Sequence, residues 1–228
     1  MVSDNLSFII QKLPSAVKLV AVSKFHPVSR LMEAYDAGQR LFGENRPQEL
    51  AQKVPQMPPD VEWHFIGHLQ TNKLKLVLPY VSLVQSVDSF HLLEAINKWG
   101  RDNGKVIDVL LELHLGAEET KHGFCEEDIL SIMGAEEGIC PAGVKPILEN
   151  VRIKGLMGMA TNTEDERVIE ADFARIEALF NRIREEHPEL RDTFTELSIG
   201  MSGDWPIAVR HGATMVRIGT DIFGEREY

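Results

Sequence analysis

VKLVAVSKFHP, residues Val17–Pro27, is a run of apolar and β-branched residues that ends in a lysine. A continuous apolar stretch of this length suits a strand covered on both faces, as in a parallel sheet. The strand is expected over Val17–Lys24. A lysine at its end is unusual, because Lys is seldom buried without a partner or a task. Either Lys24 snorkels out to water, or it is a reactive amine of the Schiff-base kind at the mouth of a parallel barrel. The rest of the chain decides between the two.

Downstream, short apolar runs alternate with helical patterns. Further strands are expected at Arg40–Gly43, Glu62–Ile66, Val81–Val87, Val106–Leu115, Val151–Ala160, Thr193–Ile199 and Thr214–Ile218. Helices are expected between them: Val28–Ala37, Arg46–Val54, one from Asn72, and Ser89–Asn103 capped by Asp88 or Ser89. Phe124–Met133 and Asp204–His211 complete the set, with Glu164–Glu186 as the clearest. In that last helix Phe173, Ile176, Leu179, Phe180 and Ile183 recur at helical spacing. GAEEGICPAGVKP (134–146) reads as an exposed loop, since Gly and Pro break regular structure.

Eight strands alternating with helices predict a single (β/α)8 TIM barrel spanning 1–228, with residues 1–16 as an N-terminal helical extension and no second domain. An open doubly wound sheet is the alternative. It lacks support, because no GxGxxG opens a helix after the first strand.

Composition narrows the function classes. The net charge of −11 disfavours nucleic acid or anionic membrane as general partners. Two cysteines, Cys125 and Cys140, lack metal-like spacing and are read as free thiols in a reducing compartment. MVSDNLSFIIQKL reads as a short amphipathic helix rather than a signal peptide, and no apolar run approaches a membrane span. A cytoplasmic protein is expected.

In a barrel, functional groups collect at the C-terminal strand ends. Ser202-Gly203 follows the seventh strand and Gly219-Thr220 the eighth, the usual place of a barrel phosphate cup. Arg217 sits inside the apolar run MVRIG. A buried Arg needs a partner, either a structural bridge across the barrel to Glu44 or a site role. If the barrel closes, Arg217 lies near Lys24, where a fixed cation favours the free amine. His64 and His68 are four apart, but on a strand and its exit, so helical metal-ligand geometry is missing. Lys121-His122-Gly123 borders the site or is a solvated loop.

LVAVSKFHP, FGENRPQE, WHFIGHLQTNK, KHGF, GLMGMA, ELSIGMSGD and MVRIGTDIFGER together closely resemble the YggS/PROSC family of pyridoxal 5′-phosphate homeostasis proteins. The resemblance runs from about Val17 to Arg226. It implies a barrel like the N-terminal domain of alanine racemase, with pyridoxal phosphate (PLP) as cofactor. Lys24 would carry PLP as a Schiff base and Arg217 would face the pyridine nitrogen. Ser202, Gly219 and Thr220 would hold the phosphate, with Asn45 beside the ring. A permanent cation at that nitrogen makes the ring a poorer electron sink. None of the three tyrosines (Tyr35, Tyr80, Tyr228) is placed as an opposite-face acid/base. The expected function is therefore to hold PLP and release it to acceptors, among them PLP-dependent apoenzymes, with the protein a monomer and not an enzyme. The rivals are a weak PLP-dependent racemase or decarboxylase, and a PLP-free class I aldolase.

Overall fold

A computed structural model describes residues 1–116, 122–134 and 148–225. An N-terminal helix, α1 (Val2–Lys12), precedes β1 (Lys18–Val22). Then come α2 (Val28–Asp36), β2 (Leu41–Glu44), α3 (Pro47–Lys53), β3 (Glu62–Phe65), α4 (Leu74–Val77) and β4 (Leu83–Val87). The second half runs α5 (Phe90–Asn103), β5 (Ile107–Leu113), α6 (Glu126–Met133), β6 (Val151–Gly158) and α7 (Glu166–Glu186). It closes with β7 (Glu196–Ser198), α8 (Trp205–Arg210), β8 (Met215–Ile218) and the single turn α9 (Thr220–Phe223).

The eight strands are all parallel and close in sequence order, β1 pairing with β8. The expected (β/α)8 barrel is therefore the observed one. Each strand end lies within three residues of the expected limit. The largest difference that matters is at the first strand. Ladder pairing stops at Val22, and Lys24 stands in the following turn, two residues beyond the strand. Helix α6 starts at Glu126 rather than Phe124, because Phe124 instead bridges to Leu113 on β5. The 134–146 loop lies, apart from Gly134, outside the described residues, as do Lys121, Cys140 and Tyr228.

The main apolar core lies between the strands' outer faces and the helices. Helix α7 buries Ile169, Phe173, Ile176, Leu179, Phe180 and Ile183 on one stripe, as its periodicity predicts. Each such side chain contributes about 1.5–3 kcal/mol by leaving water. A second cluster, Val20, Leu83, Leu110, Met157 and Met215, fills the barrel's interior. It is small, and polar groups share the interior with it: His64, Gln85, Ser198 and Arg217 are all buried there. Those groups run up towards the C-terminal mouth.

Candidate functional site

At the C-terminal mouth, Lys24, Asn45, Ser202, Arg217, Gly219 and Thr220 all line one cavity of about 210 Å³. Val22, Ile66, Met159 and Met201 add apolar walls. A cavity of similar size, about 190 Å³, opens at the opposite end among Lys18, Glu62, Asp108, Lys154 and Glu196. Barrel chemistry sits at the C-terminal face, and only the mouth cavity combines an amine, hydroxyls and a buried guanidinium.

The turn that carries Lys24 is clamped from below. Lys53, one end of α3, donates to the Ser23 carbonyl at 2.9 Å, to Glu44 Oε1 at 2.5 Å and to Glu49 Oε2 at 3.0 Å. The Ser23 hydroxyl donates to the same Glu44 oxygen at 2.7 Å. Glu49 Oε2 also accepts the Phe25 N–H at 2.9 Å. Phe25 holds φ 67°, the left-handed region that a bulky residue rarely adopts. That strain persists because the surrounding bonds over-determine the turn, with the Arg46 guanidinium 4.2 Å from the Phe25 ring. Burial pushes the Glu44 carboxyl upward while Lys53 pulls it back.

Glu44 is thus paired with Lys53, and the alternative reading of Arg217, a bridge to Glu44, does not hold. Arg217 pairs in register with Val20 across the closing seam and turns into the barrel. Its Nη1 donates to the Ser198 carbonyl at 2.8 Å and to Ser198 Oγ at 2.7 Å, and its Nη2 to the Gly158 carbonyl at 3.0 Å. Burial pulls the guanidinium down to about 10, with Glu112 and Asp204 drawing it back up. It stays a cation at neutral pH.

Ser198 passes the chain on. Its hydroxyl donates to Gln85 Oε1 at 2.7 Å, and Gln85 Nε2 faces His64 Nδ1 at 2.8 Å. With the amide as donor, His64 carries its proton on Nε2 and points it at Glu62 Oε1, 3.4 Å away. One directed chain, Arg217–Ser198–Gln85–His64–Glu62, therefore fixes the guanidinium from the barrel floor. It also accounts for His64, whose polar atoms are spent inside the barrel. Glu112 lies off this chain. Burial and Asp88 push it up to about 7 against the pull of Arg217.

The two glycine-bearing loops both line the cavity. A Cβ on Gly219 would stand 3.1 Å from the Val22 carbonyl oxygen, a tight contact, so the close approach of β8's exit to β1 favours glycine. A Cβ on Gly203 would meet nothing within 4 Å, which leaves room there for a ligand. The Ser202 hydroxyl bonds the Asp221 carboxylate, whose pKa burial raises. Asn45 Oδ1 is buried without a hydrogen-bond partner. Buried acceptors are normally satisfied; among the described residues Glu44 Oε2 shares this state, but only Asn45 also lines the cavity, where a ligand or water can reach it. An amine, a fixed cation, hydroxyls and an open acceptor around one small cavity fit a phosphorylated aldehyde with a polar aromatic ring.

Other candidates separate cleanly. His68 meets Asp88 at 2.8 Å and stacks on His122, far from His64's bonds. Cys125 is an exposed free thiol that caps α6 by accepting from the Asp128 N–H. Among the described residues no tyrosine lines the mouth cavity: Tyr35 donates to Asp60, and Tyr80 is exposed. Sequence reasoning missed Lys53, Glu49, Ser198 and Gln85. Ser198 and Gln85 each stand as a polar residue in an otherwise apolar strand, which was a usable signal. Lys53 and Glu49 gave none, being ordinary helix residues.

The alanine racemase N-terminal domain family matches residues 2–227. Among curated proteins, the pyridoxal phosphate homeostasis protein of Haemophilus influenzae is 35% identical over 241 residues, covering 100% of this chain and 97% of its own length. The human protein of the same name is 36% identical, covering 92% of this chain and 77% of its own length. Among solved structures, PipY of Synechococcus elongatus with PLP bound matches with a TM-score of 0.85 at 34% identity, over 98% of this chain and 100% of PipY. Alanine racemase of Clostridium difficile matches with a TM-score of 0.75 at 13% identity, over 100% of this chain and 60% of the racemase, a likeness of fold alone.

Proposed function

Because the chain belongs to the family of pyridoxal phosphate homeostasis proteins, built on the alanine racemase N-terminal domain, we propose that it binds pyridoxal phosphate at the barrel mouth. The observation that carries the reading is one cavity that gathers Lys24, Asn45, Ser202, Arg217, Gly219 and Thr220. When bound, the cofactor supplies an aldehyde that condenses reversibly with an amine, losing one water. Lys24 supplies that amine, held in place by the Lys53–Glu49 clamp on its turn. The Ser202 and Thr220 hydroxyls and the glycine backbone beside them would bind the phosphate, Ser202 turning its hydroxyl from Asp221 to do so. Arg217 would bring a permanent positive charge to the ring nitrogen and so disfavour its protonation. Asn45 would lie beside the ring.

The protein's role in this reading is to hold and release the cofactor inside the cell, to small amines or to apoenzymes that need it, as a single chain. Two features support holding over turnover. The guanidinium weakens carbanion stabilisation, and no described tyrosine stands at the cavity to move a proton on the opposite face. The test is direct. Pyridoxal phosphate is added to purified protein, the visible absorption recorded, the adduct reduced with borohydride, and the label mapped. A yellow adduct on Lys24, lost in Lys24→Ala, is expected. A colourless protein, or a label on another lysine, overturns the reading; amino-acid turnover in the same sample would restore the enzyme alternative.

A further inference from the structure

His68, Asp88 and His122 converge across the barrel mouth from three successive strand exits, those of β3, β4 and β5. Each offers one ligand atom, and the three atoms lie within 4.8 Å of one another. His68 Nδ1 and Asp88 Oδ2 are 2.8 Å apart. Two donors on one zinc ion stand roughly 3.4 Å apart when each bond is about 2.0–2.1 Å, so the group needs only small shifts to share a cation.

Hydrogen bonds fix the chain beside each of the three. The Gly67 carbonyl, next to His68, accepts the Ser86 hydroxyl of β4. Asp88 directly precedes Ser89, whose hydroxyl caps α5 by accepting the Leu92 N–H at 3.3 Å. His122 is followed by Gly123 at φ 134° and by Phe124, which exchanges backbone bonds with β5. The Phe124 N–H donates to the Glu112 carbonyl at 2.8 Å, and the Phe124 carbonyl accepts the His114 N–H at 3.0 Å. A Cβ at Gly123 would reach 2.8 Å from the His114 nitrogen, so only glycine lets this loop fold down beside β5.

The charges suit a dication. The Asp88 side chain is only 6% exposed, yet its single ion-pair partner among the described residues is His68, not a Lys or Arg. The two imidazole rings are stacked with centroids 4.4 Å apart. Metal binding needs one of them to turn edge-on, and His122 is exposed and has room to do so. His68 is half-exposed, which leaves coordination positions open to water.

We propose that His68, Asp88 and His122 form a two-histidine, one-carboxylate site for a divalent transition metal of the zinc class. The metal ties together the exits of β3, β4 and β5, on the side of the mouth away from the Ser202 and Thr220 loops. The inference stands on these three residues and is independent of the cofactor reading.

The test uses the full chain, freed of metal by a chelator and dialysed. Zn²⁺ is titrated by calorimetry, and Co²⁺ is added separately to record its visible d–d bands. One equivalent bound, with cobalt bands typical of nitrogen and oxygen ligands, is expected. His122→Gln, a surface change that leaves the fold intact, and Asp88→Asn are each expected to weaken binding roughly tenfold or more. Circular dichroism checks that both variants fold. No binding in the parent protein, or unchanged affinity in folded His122→Gln, overturns the proposal and assigns any metal to unrelated surface histidines.

Discussion

Lys53 Nζ donates to the Ser23 carbonyl at 2.9 Å, so a cation from α3 holds the residue that precedes Lys24. The same nitrogen neutralises Glu44, whose side chain is fully buried. Removing one partner of such a pair leaves a buried charge alone and costs about 3–5 kcal/mol. Lys53→Met is therefore expected to lower the urea midpoint sharply and to weaken the Lys24 adduct. Adding Glu44→Gln to it should recover part of the lost stability. Equal stability of the single and double variants would show that Glu44 is not the group left uncompensated.

Ser198 is the joint between Arg217 and the interior chain. Ser198→Ala removes an acceptor from Arg217 and a donor from Gln85, with little change in volume. A lost buried hydrogen bond with unsatisfied partners costs about 1–3 kcal/mol. Thermal unfolding should show that loss. The absorption maximum of the bound cofactor should also shift, because the guanidinium beneath it is less fixed. A stable variant with an unaltered spectrum would mean that the Ser198 and Gly158 carbonyls suffice to hold Arg217.

Gly67 does not line the cavity, yet it supports Asn45. A Cβ there would lie 2.2 Å from the Asn45 carbonyl oxygen and 2.7 Å from its Cα. Gly67→Ala must push the Asn45 backbone aside. Cofactor affinity measured by absorbance titration is expected to fall by about tenfold, equivalent to about 1.4 kcal/mol. Unchanged affinity would dissociate Asn45 from the site.

Glu112 carries a pH signature. Its carboxyl is pushed up to about 7, from an ordinary 4.5, by burial first and then by Asp88. The folded state therefore holds a proton that the unfolded state has already released between those two values. Stability contributed by this group is present at low pH and declines as pH rises from about 4.5 to about 7. The full effect is on the order of 3 kcal/mol. Glu112→Gln, followed by urea unfolding in chelator, should gain on the parent protein as pH rises from about 5 to about 8. Parallel stability profiles would sink this assignment.

The barrel was legible because hydrophobic period is a local property: β-branched runs and the α7 stripe each announce themselves within a short window. The mouth was legible for a related reason. In a parallel barrel every strand exit faces the same way, so reading the exits in order brings Lys24, Asn45, Ser202, Arg217, Gly219 and Thr220 to one face. Which partner each side chain takes is not local. Arg217 could reach several acceptors in a closed barrel. Ser198 and the Gly158 carbonyl win because they sit on the neighbouring strand and the next one, while Glu44 is occupied by Lys53. Likewise, His68 and His122 come together only through the packing of loops after β3 and β5. Spacing along the chain carries no trace of that meeting.

The pairing of β1 with β8 has a consequence for how the site comes into being. The lysine turn follows the first strand, while Arg217, Gly219 and Thr220, which line the same cavity, belong to the last strand and its exit. During synthesis the amine emerges early and waits for nearly the whole chain. Closing that gap is the longest-range contact in the barrel, and such contacts are slow to form. A ligand bound across that seam would favour the shut form by mass action.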